Sequence, residues 1–346
     1  MKRLGNVYDR IIAPENLLIA FNKAAKGRRK YVVVRRAEAK LEANLAKLRQ
    51  KLVDGSYTTG RYKSQVVFEP KRRTIHSLPF FPDRVVHHAI LNVLGPYWDR
   101  MFIHDSYACR ENKGQHAGST RCMKMVRKYA YVLKCDISKF YHSIPHGVMK
   151  FVLRKKLKCP RTLALLDEII DSSNTCVELS EGRGVPIGNL VSQWLGNLYL
   201  HEFDLFVKHE LKCMNYIRYC DDFVLFSNSK SELRMWSDKI RQFLSERLQL
   251  RLSKCELFPV THGVDYLGYR HFCDYILLRK STAKRMRRRL AHVSRLLPTG
   301  NLQRLMGQVA SASGWLRHAN TYNFCLANML KSLQERIDGR RYAEAI

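Results

Sequence analysis

Between residues 216 and 226 the chain reads Tyr216-Ile217-Arg218-Tyr219-Cys220-Asp221-Asp222-Phe223-Val224-Leu225-Phe226. Two adjacent carboxylates sit between aromatic and β-branched runs. The pattern predicts a hairpin whose tight turn carries the acids while its strands pack apolar side chains. Neighbouring aspartates repel when both are ionised, so a site that keeps them together normally holds a cation. Carboxylate oxygens suit hard Mg²⁺, which takes one or two protein carboxylates and leaves its other positions to water and phosphate. Taken alone, the dipeptide reads more readily as a solvated turn, because short motifs often match by chance. The rest of the chain decides between the two.

A second apolar strand, Tyr131-Val132-Leu133-Lys134-Cys135-Asp136-Ile137, also ends at an acid. A lone Asp closing a strand is usually a helix N-cap. Here it is the second acidic site on a hydrophobic strand. If the two strands are sheet neighbours, three carboxylates converge at one end, an arrangement able to hold two divalent ions for in-line phosphoryl transfer. The charge balance agrees. Lys plus Arg number 61 against 30 Asp plus Glu, a net +31, and an excess of that size fits a nucleic-acid partner. An anionic membrane is the rival polyanion, but no apolar run approaches the length of a membrane span, and Met1-Lys2-Arg3-Leu4-Gly5 lacks a signal-peptide core. The ten cysteines include no C-x-x-C pair and lie largely in apolar company, as at Cys135, Cys220 and Cys273. That is the usage of reduced core thiols, and it predicts a cytoplasmic protein without a zinc ribbon.

Helical spacing marks Pro14 to Lys26 and Ala37 to Val53, separated by the basic turn Lys26-Gly27-Arg28-Arg29-Lys30. Short strands follow at Gln65 to Pro70 and Lys71 to His76, the second studded with cations that either solvate an edge or clamp phosphates. Helices are expected over Val85 to Leu94, Thr120 to Lys128, Leu190 to Phe206 and Ser231 to Leu248, with a Gly-rich loop from Gly182 to Asn189. Leu250 to Leu252 reads as a strand, and Val264 to Leu278 as a closing hairpin. From Arg279 a basic helical tail begins with Lys280, Lys284, Arg285, Arg287, Arg288 and Arg289.

Six blocks now stand in order: Lys71-Arg72-Arg73, Cys135 to Tyr141, Gly184 to Gln193, Tyr219 to Asp222, Leu250 to Lys254, and Tyr266-Leu267-Gly268-Tyr269. In order, spacing and type they resemble the successive motifs of reverse transcriptases over roughly residues 60 to 280. The resemblance implies an α+β right-hand polymerase fold. It divides the chain into an N-terminal helical extension (1–60), fingers (61–130), a palm with an antiparallel sheet (131–278, with fingers-derived helices around 145–185) and a helical basic thumb (279–346). It implies that Asp136 and Asp221 ligate two catalytic Mg²⁺ ions, with Mn²⁺ as a substitute. Asp222 supports the ions and the Ile137 carbonyl completes one shell. Lys71 and Arg73 clamp the incoming deoxynucleoside triphosphate, helped by the backbone amides of Ser138 and Lys139. Tyr141 takes the position that rejects a ribose 2′-hydroxyl, and Lys254 is the proton donor to pyrophosphate. Arg279, Lys280, Lys284, Arg285 and Arg288 would face the RNA/cDNA duplex.

Within the superfamily, Ile187-Gly188-Asn189-Leu190-x-Ser192-Gln193 resembles reverse transcriptases of diversity-generating retroelements. So do Glu69-Pro70-Lys71-x-Arg73-x-Ile75, Asp83-Arg84-Val85-Val86-x-His88-Ala89, and Tyr107 to Arg110 with Lys113-Gly114-x-His116-Ala117-Gly118. High-fidelity relatives place Gln where this chain has Ile187. A branched aliphatic makes no hydrogen bonds there, so the resemblance implies misincorporation opposite template adenines, with Ile187 and Arg73 responsible. It further implies a structured template RNA and a pentameric accessory variability protein as partners. No endonuclease, RNase H or maturase-like extension is recognisable. The alternatives are a retron-type or defence-associated reverse transcriptase of ordinary fidelity, and a non-catalytic RNA-binding scaffold that keeps the fold.

Overall fold

The structure, a computed structural model, describes residues 3–68, 72–176, 179–296 and 302–328. Four helices open the chain: α1 (Tyr8–Ile11), α2 (Pro14–Ala25), α3 (Val32–Ala39) and α4 (Leu41–Val53). A two-stranded ribbon, β1 (Lys63–Val67) and β2 (Arg73–Ser77), precedes α5 (Val85–Met101) and α6 (Gln115–Val126). Then come β3 (Tyr131–Ile137), α7 (Phe140–Ser143), α8 (His146–Lys156), α9 (Pro160–Asp171) and α10 (Leu190–Leu205). The hairpin strands β4 (Tyr216–Tyr219) and β5 (Asp222–Ser227) lead into α11 (Lys230–Leu248) and β6 (Leu252–Pro259). The chain continues through β7 (Val264–Tyr266), β8 (Tyr269–His271), β9 (Ile276–Leu278), α12 (Lys280–Leu296) and α13 (Leu302–Arg317).

A four-stranded antiparallel sheet in the order β4-β5-β3-β6 organises the molecule. Side chains alternate across it with period two. Leu133, Cys135, Phe223 and Leu225 join the large core that includes Phe203 of α10 and Leu233, Ile240 and Leu244 of α11. Val132, Ile217, Val224 and Phe226 face the other way, into a second core with Cys122, Met125 and Val126 of α6 and Tyr266 of β7. Both faces are covered, which is why β5 reads as a continuous apolar run rather than an alternating one.

The local causes are legible. Ser229 caps α11, its Oγ accepting from the Glu232 amide at 3.2 Å, and Ser-x-x-Glu is the residue set of a capping box. Pro at the first turn opens α2 and α9, where its missing N–H is no loss. The N-terminal helices belong to the main core: Leu17, Ala20 and Phe21 of α2 are fully buried with Val86 and Ile90 of α5, and Asn16 Nδ2 donates to the Ala89 carbonyl at 3.0 Å.

Several boundaries differ from the sequence reading. Helix α5 runs on through Gly95 and Pro96 to Met101, because burial of Trp98 outweighs the proline's lost hydrogen bond. The strand expected at residues 250–252 begins only at Leu252 and continues to Pro259; its mixed polar pattern is that of an edge strand, which lacks clean alternation. The closing hairpin is a three-stranded sheet, β7-β8-β9.

Candidate active site

The register of the central sheet brings the acids together. Asp136 stands directly opposite Asp222 across β3 and β5. Tyr219 pairs with Asp222 across β4 and β5, leaving Cys220 and Asp221 as the turn. Cys220 adopts a left-handed φ of +52°, the conformation a two-residue hairpin demands. The Ile137 amide donates to the Asp221 carbonyl at 3.3 Å, tying the turn to the end of β3. On the far side of β3, Asp136 pairs with Lys254, whereas Ile137 pairs with Leu252. Ser253 is therefore the extra residue of a β-bulge, the kind of irregularity that re-aims side chains beside functional sites. Its Oγ donates to Asp136 Oδ2 at 2.5 Å.

Electrostatics report the same convergence. Burial first, then the neighbouring charge of Asp136, raises the Asp221 carboxyl, while Arg73 pulls it down. Burial pushes the Asp222 carboxyl up to about 7; Lys134 opposes the rise and Asp136 adds to it. Asp222 Oδ1 is buried and has no hydrogen-bond partner among the described residues. An orphaned carboxylate oxygen beside two further carboxylates fits a divalent cation. Among the described residues no group of three or more His, Cys, Asp or Glu side chains is arranged to hold a metal ion by itself.

Other expected residues gather around this turn. Arg73 lies on β2, within electrostatic reach of Asp221. The loop 184–189 docks on the same strand: the His76 amide donates to the Ile187 carbonyl at 2.8 Å, and Asn189 Nδ2 donates to the His76 carbonyl at 3.2 Å. Gly188 has φ +113°, and a Cβ there would lie 2.4 Å from Ile75 Cγ2, so only glycine permits this approach. Ile187 itself is half-buried. Tyr141 is half-buried too, its ring against Gly196 of α10, where a Cβ would come within 3.2 Å of it. Its hydroxyl is driven well above the ordinary range by burial and by the neighbouring Cys220. Lys139 takes a left-handed φ of +42°.

Four expected residues have partners within the chain or lie outside the described residues. The Ser138 amide donates to the Arg251 carbonyl at 2.8 Å, so strand pairing occupies the group expected to bind phosphate. Arg279 is ion-paired with Asp265, and Arg285 sits 5.3 Å from the centre of the Trp315 ring. Both brace α12 against its neighbours, while Lys280, Lys284 and Arg288 are exposed. Lys71 lies outside the described residues.

One support was missed in the sequence. Arg218, fully buried, donates from Nη2 to Asp204 Oδ2 at 2.6 Å and from Nε to Asp204 Oδ1 at 2.7 Å. From Nη1 it reaches Asn197 Oδ1 at 3.2 Å and the Cys220 carbonyl at 3.1 Å. A forked guanidinium thus anchors the acidic turn to α10. The sequence shows the parts of this anchor, an Arg inside an apolar strand and Asn197 and Asp204 seven residues apart on one helix face, but not that they pair.

A sheet with paired acids at one end, flanked by helices and a cation-bearing strand ribbon, defines the right-hand class of template-directed nucleic-acid polymerases. The chain belongs to the reverse transcriptase (RNA-dependent DNA polymerase) family, whose model matches residues 62–271. It is 25% identical to Protein YkfC of Escherichia coli (strain K12) over 277 residues, covering 67% of this chain and 72% of that protein. It is 20% identical to the group II intron-encoded protein LtrA of Lactococcus lactis subsp. cremoris over 353 residues, covering 81% of this chain and 58% of LtrA. The solved apo telomerase from Candida Tropicalis, truncated from its C-terminal domain, aligns with a TM-score of 0.47 and 14% identity over 63% of this chain and 54% of that one. The chain therefore spans little more than half of LtrA and of that telomerase chain. Reverse transcriptases use divalent metal ions, consistent with the carboxylate cluster. Among the described residues no helix is long and apolar enough to cross a membrane.

Proposed function

We propose that this reverse transcriptase serves a diversity-generating retroelement, copying a template-repeat RNA into cDNA with misincorporation opposite template adenines for mutagenic retrohoming. The pairing of Asp136 with Asp222, with Asp221 at the adjoining turn, carries the catalytic part of this reading. Asp136 and Asp221 would hold two Mg²⁺ ions (or Mn²⁺ in their place), with Asp222 in support and the Ile137 carbonyl completing one set. Bound there, such ions lower the pKa of a 3′-hydroxyl and neutralise phosphate charge. Arg73, Lys71 and the Lys139 amide hold the triphosphate of the incoming nucleotide. Tyr141, fixed against Gly196 and Cys220, excludes a 2′-hydroxyl, and Lys254, opposite Asp136, protonates pyrophosphate. Lys280, Lys284 and Arg288 contact the RNA/cDNA duplex, and the pentameric accessory protein is the partner this assignment brings with it. Unpaired thiols at all ten cysteines suit a reducing cytoplasm.

The retroelement assignment rests on Ile187. Its carbonyl is bonded to the strand that carries Arg73, which supports a reading in which an aliphatic side chain, unable to hydrogen-bond, stands next to the residues that clamp the nucleotide. The likeness to the group II intron-encoded protein LtrA favours a second reading, an intron-type reverse transcriptase of ordinary fidelity. Sequencing cDNA made in vitro on a defined RNA separates the two. Errors concentrated at template adenines support the retroelement; errors spread evenly over the four bases support the intron type.

A further inference from the structure

Away from the acids, on the opposite face of the same sheet, two thiols face each other. Cys135 on β3 and Cys255 on β6 are directly opposite in register, and their Sγ atoms are 3.4 Å apart. Opposed residues of an antiparallel pair have Cα atoms roughly 4.5–5.5 Å apart, inside the range of about 4.4–6.8 Å that a disulfide spans. Small side-chain rotations would bring the sulfurs to bonding distance. The two environments differ. Cys135 is fully buried, whereas Cys255 lies on the edge strand and is partly exposed. Ser237 of α11 contacts Cys255 Sγ at 3.2 Å, and the exposed Arg241, one turn further along that helix, places positive charge beside it. Hydrogen bonding from the Cys135 thiol, against the effect of burial and with help from Ser237 and Arg241, pulls Cys255 down to about 6. A partly exposed thiolate with a second thiol in contact is the arrangement of a peroxide-sensitive site.

We infer that Cys135 and Cys255 form a hydroperoxide-reactive dithiol in which Cys255 is oxidised first and Cys135 closes the disulfide. In the first step the Cys255 thiolate attacks one peroxide oxygen. An S–O bond forms, the O–O bond breaks, two electrons pass from sulfur to the peroxide, and the departing hydroxide or alkoxide takes a proton from solvent. In the second step the Cys135 sulfur attacks Cys255, the S–O bond breaks, and the hydroxyl leaves as water with the proton of the Cys135 thiol. Two thiols and one hydroperoxide give one disulfide, one water and one further water or alcohol. The new bond ties the strand bearing Asp136 to the strand bearing Lys254, one residue from each.

The test treats the full-length protein with increasing hydrogen peroxide at neutral pH, alkylates the remaining thiols and maps peptides by mass. The expected product is a peptide pair joined through Cys135 and Cys255, lighter by two hydrogens and released by dithiothreitol. It should form at roughly one-tenth of the peroxide that modifies the exposed Cys325. The Cys135→Ala variant should stop at a Cys255 sulfenic acid that dimedone traps. Oxidation of Cys325 at equal or lower peroxide than Cys255, or passage of wild-type Cys255 to sulfinic acid without linkage, overturns the inference. If Cys135→Ala does not fold, the wild-type linkage map alone decides. The readout is mass, so it succeeds or fails independently of the polymerase reading.

Discussion

At Asp222, burial favours the protonated carboxyl, Lys134 opposes it and Asp136 adds to it, so that the carboxyl is pushed up to about 7. Unfolded, the same group titrates near ~4. The folded chain therefore binds the extra proton between those values. The stability this contributes is fully present below the unfolded value and is lost as pH rises through about 7. Asp222→Asn removes that loss. In metal-free protein it is expected to raise Tm by about 2–4 °C at pH 8 and by roughly a third as much at pH 5, read by thermal scans at both. A lower Tm at pH 8 would show that the fold favours the ionised carboxylate. At Ile187 the effect is on accuracy. Ile187→Gln restores a polar group beside the strand that bears Arg73, and errors at template adenines should fall roughly 2- to 10-fold, the worth of one net hydrogen bond. Sequenced cDNA from the two proteins checks this, and an unchanged error spectrum removes Ile187 from the account.

Among the elements, the β4–β5 hairpin depends on α10 more than on its own turn. Removing the carboxylate partner of a fully buried guanidinium leaves an uncompensated charge, so Asp204→Ala should lose about 3–5 kcal/mol in urea unfolding. Nucleotide addition should fall with it, because Arg218 also holds the Cys220 carbonyl. A loss below about 1 kcal/mol would mean that the anchor is replaceable. The hairpin itself could be read in advance, since two apolar runs around Asp221 and Asp222 leave few other folds. So could β3 and α11, whose periods are clean. Arg218 could not be assigned, because a charged residue in a strand reads as outward-facing until its helix partner is known. β6 was hidden because an edge strand bulged at Ser253 breaks the alternation that marks strands. For Ser138 and Arg279 sequence gives the donor but not the acceptor that holds it in the folded chain, here the Arg251 carbonyl and Asp265.

Over the whole molecule, a net charge of +31 predicts binding governed by counterion release. Affinity for a structured RNA should fall roughly 10³-fold or more between ~50 and ~200 mM salt. Replacing Lys280, Lys284 and Arg288 together by Ala should shallow the logarithmic salt slope by about 2–3. Filter binding across a salt series measures both, and an unaltered slope would place the nucleic acid elsewhere than on α12. The central claim is that segments far apart in sequence make one catalytic centre at the end of the β4-β5-β3-β6 sheet. Its most direct test is single-nucleotide addition to a primer annealed on RNA, in Mg²⁺, by wild type, Asp136→Asn and Asp221→Asn. Each variant is expected to be slower by ~10³-fold or more, the loss of several kcal/mol of charge stabilisation, with folding and RNA binding retained. Addition by either variant within about tenfold of wild type would contradict it.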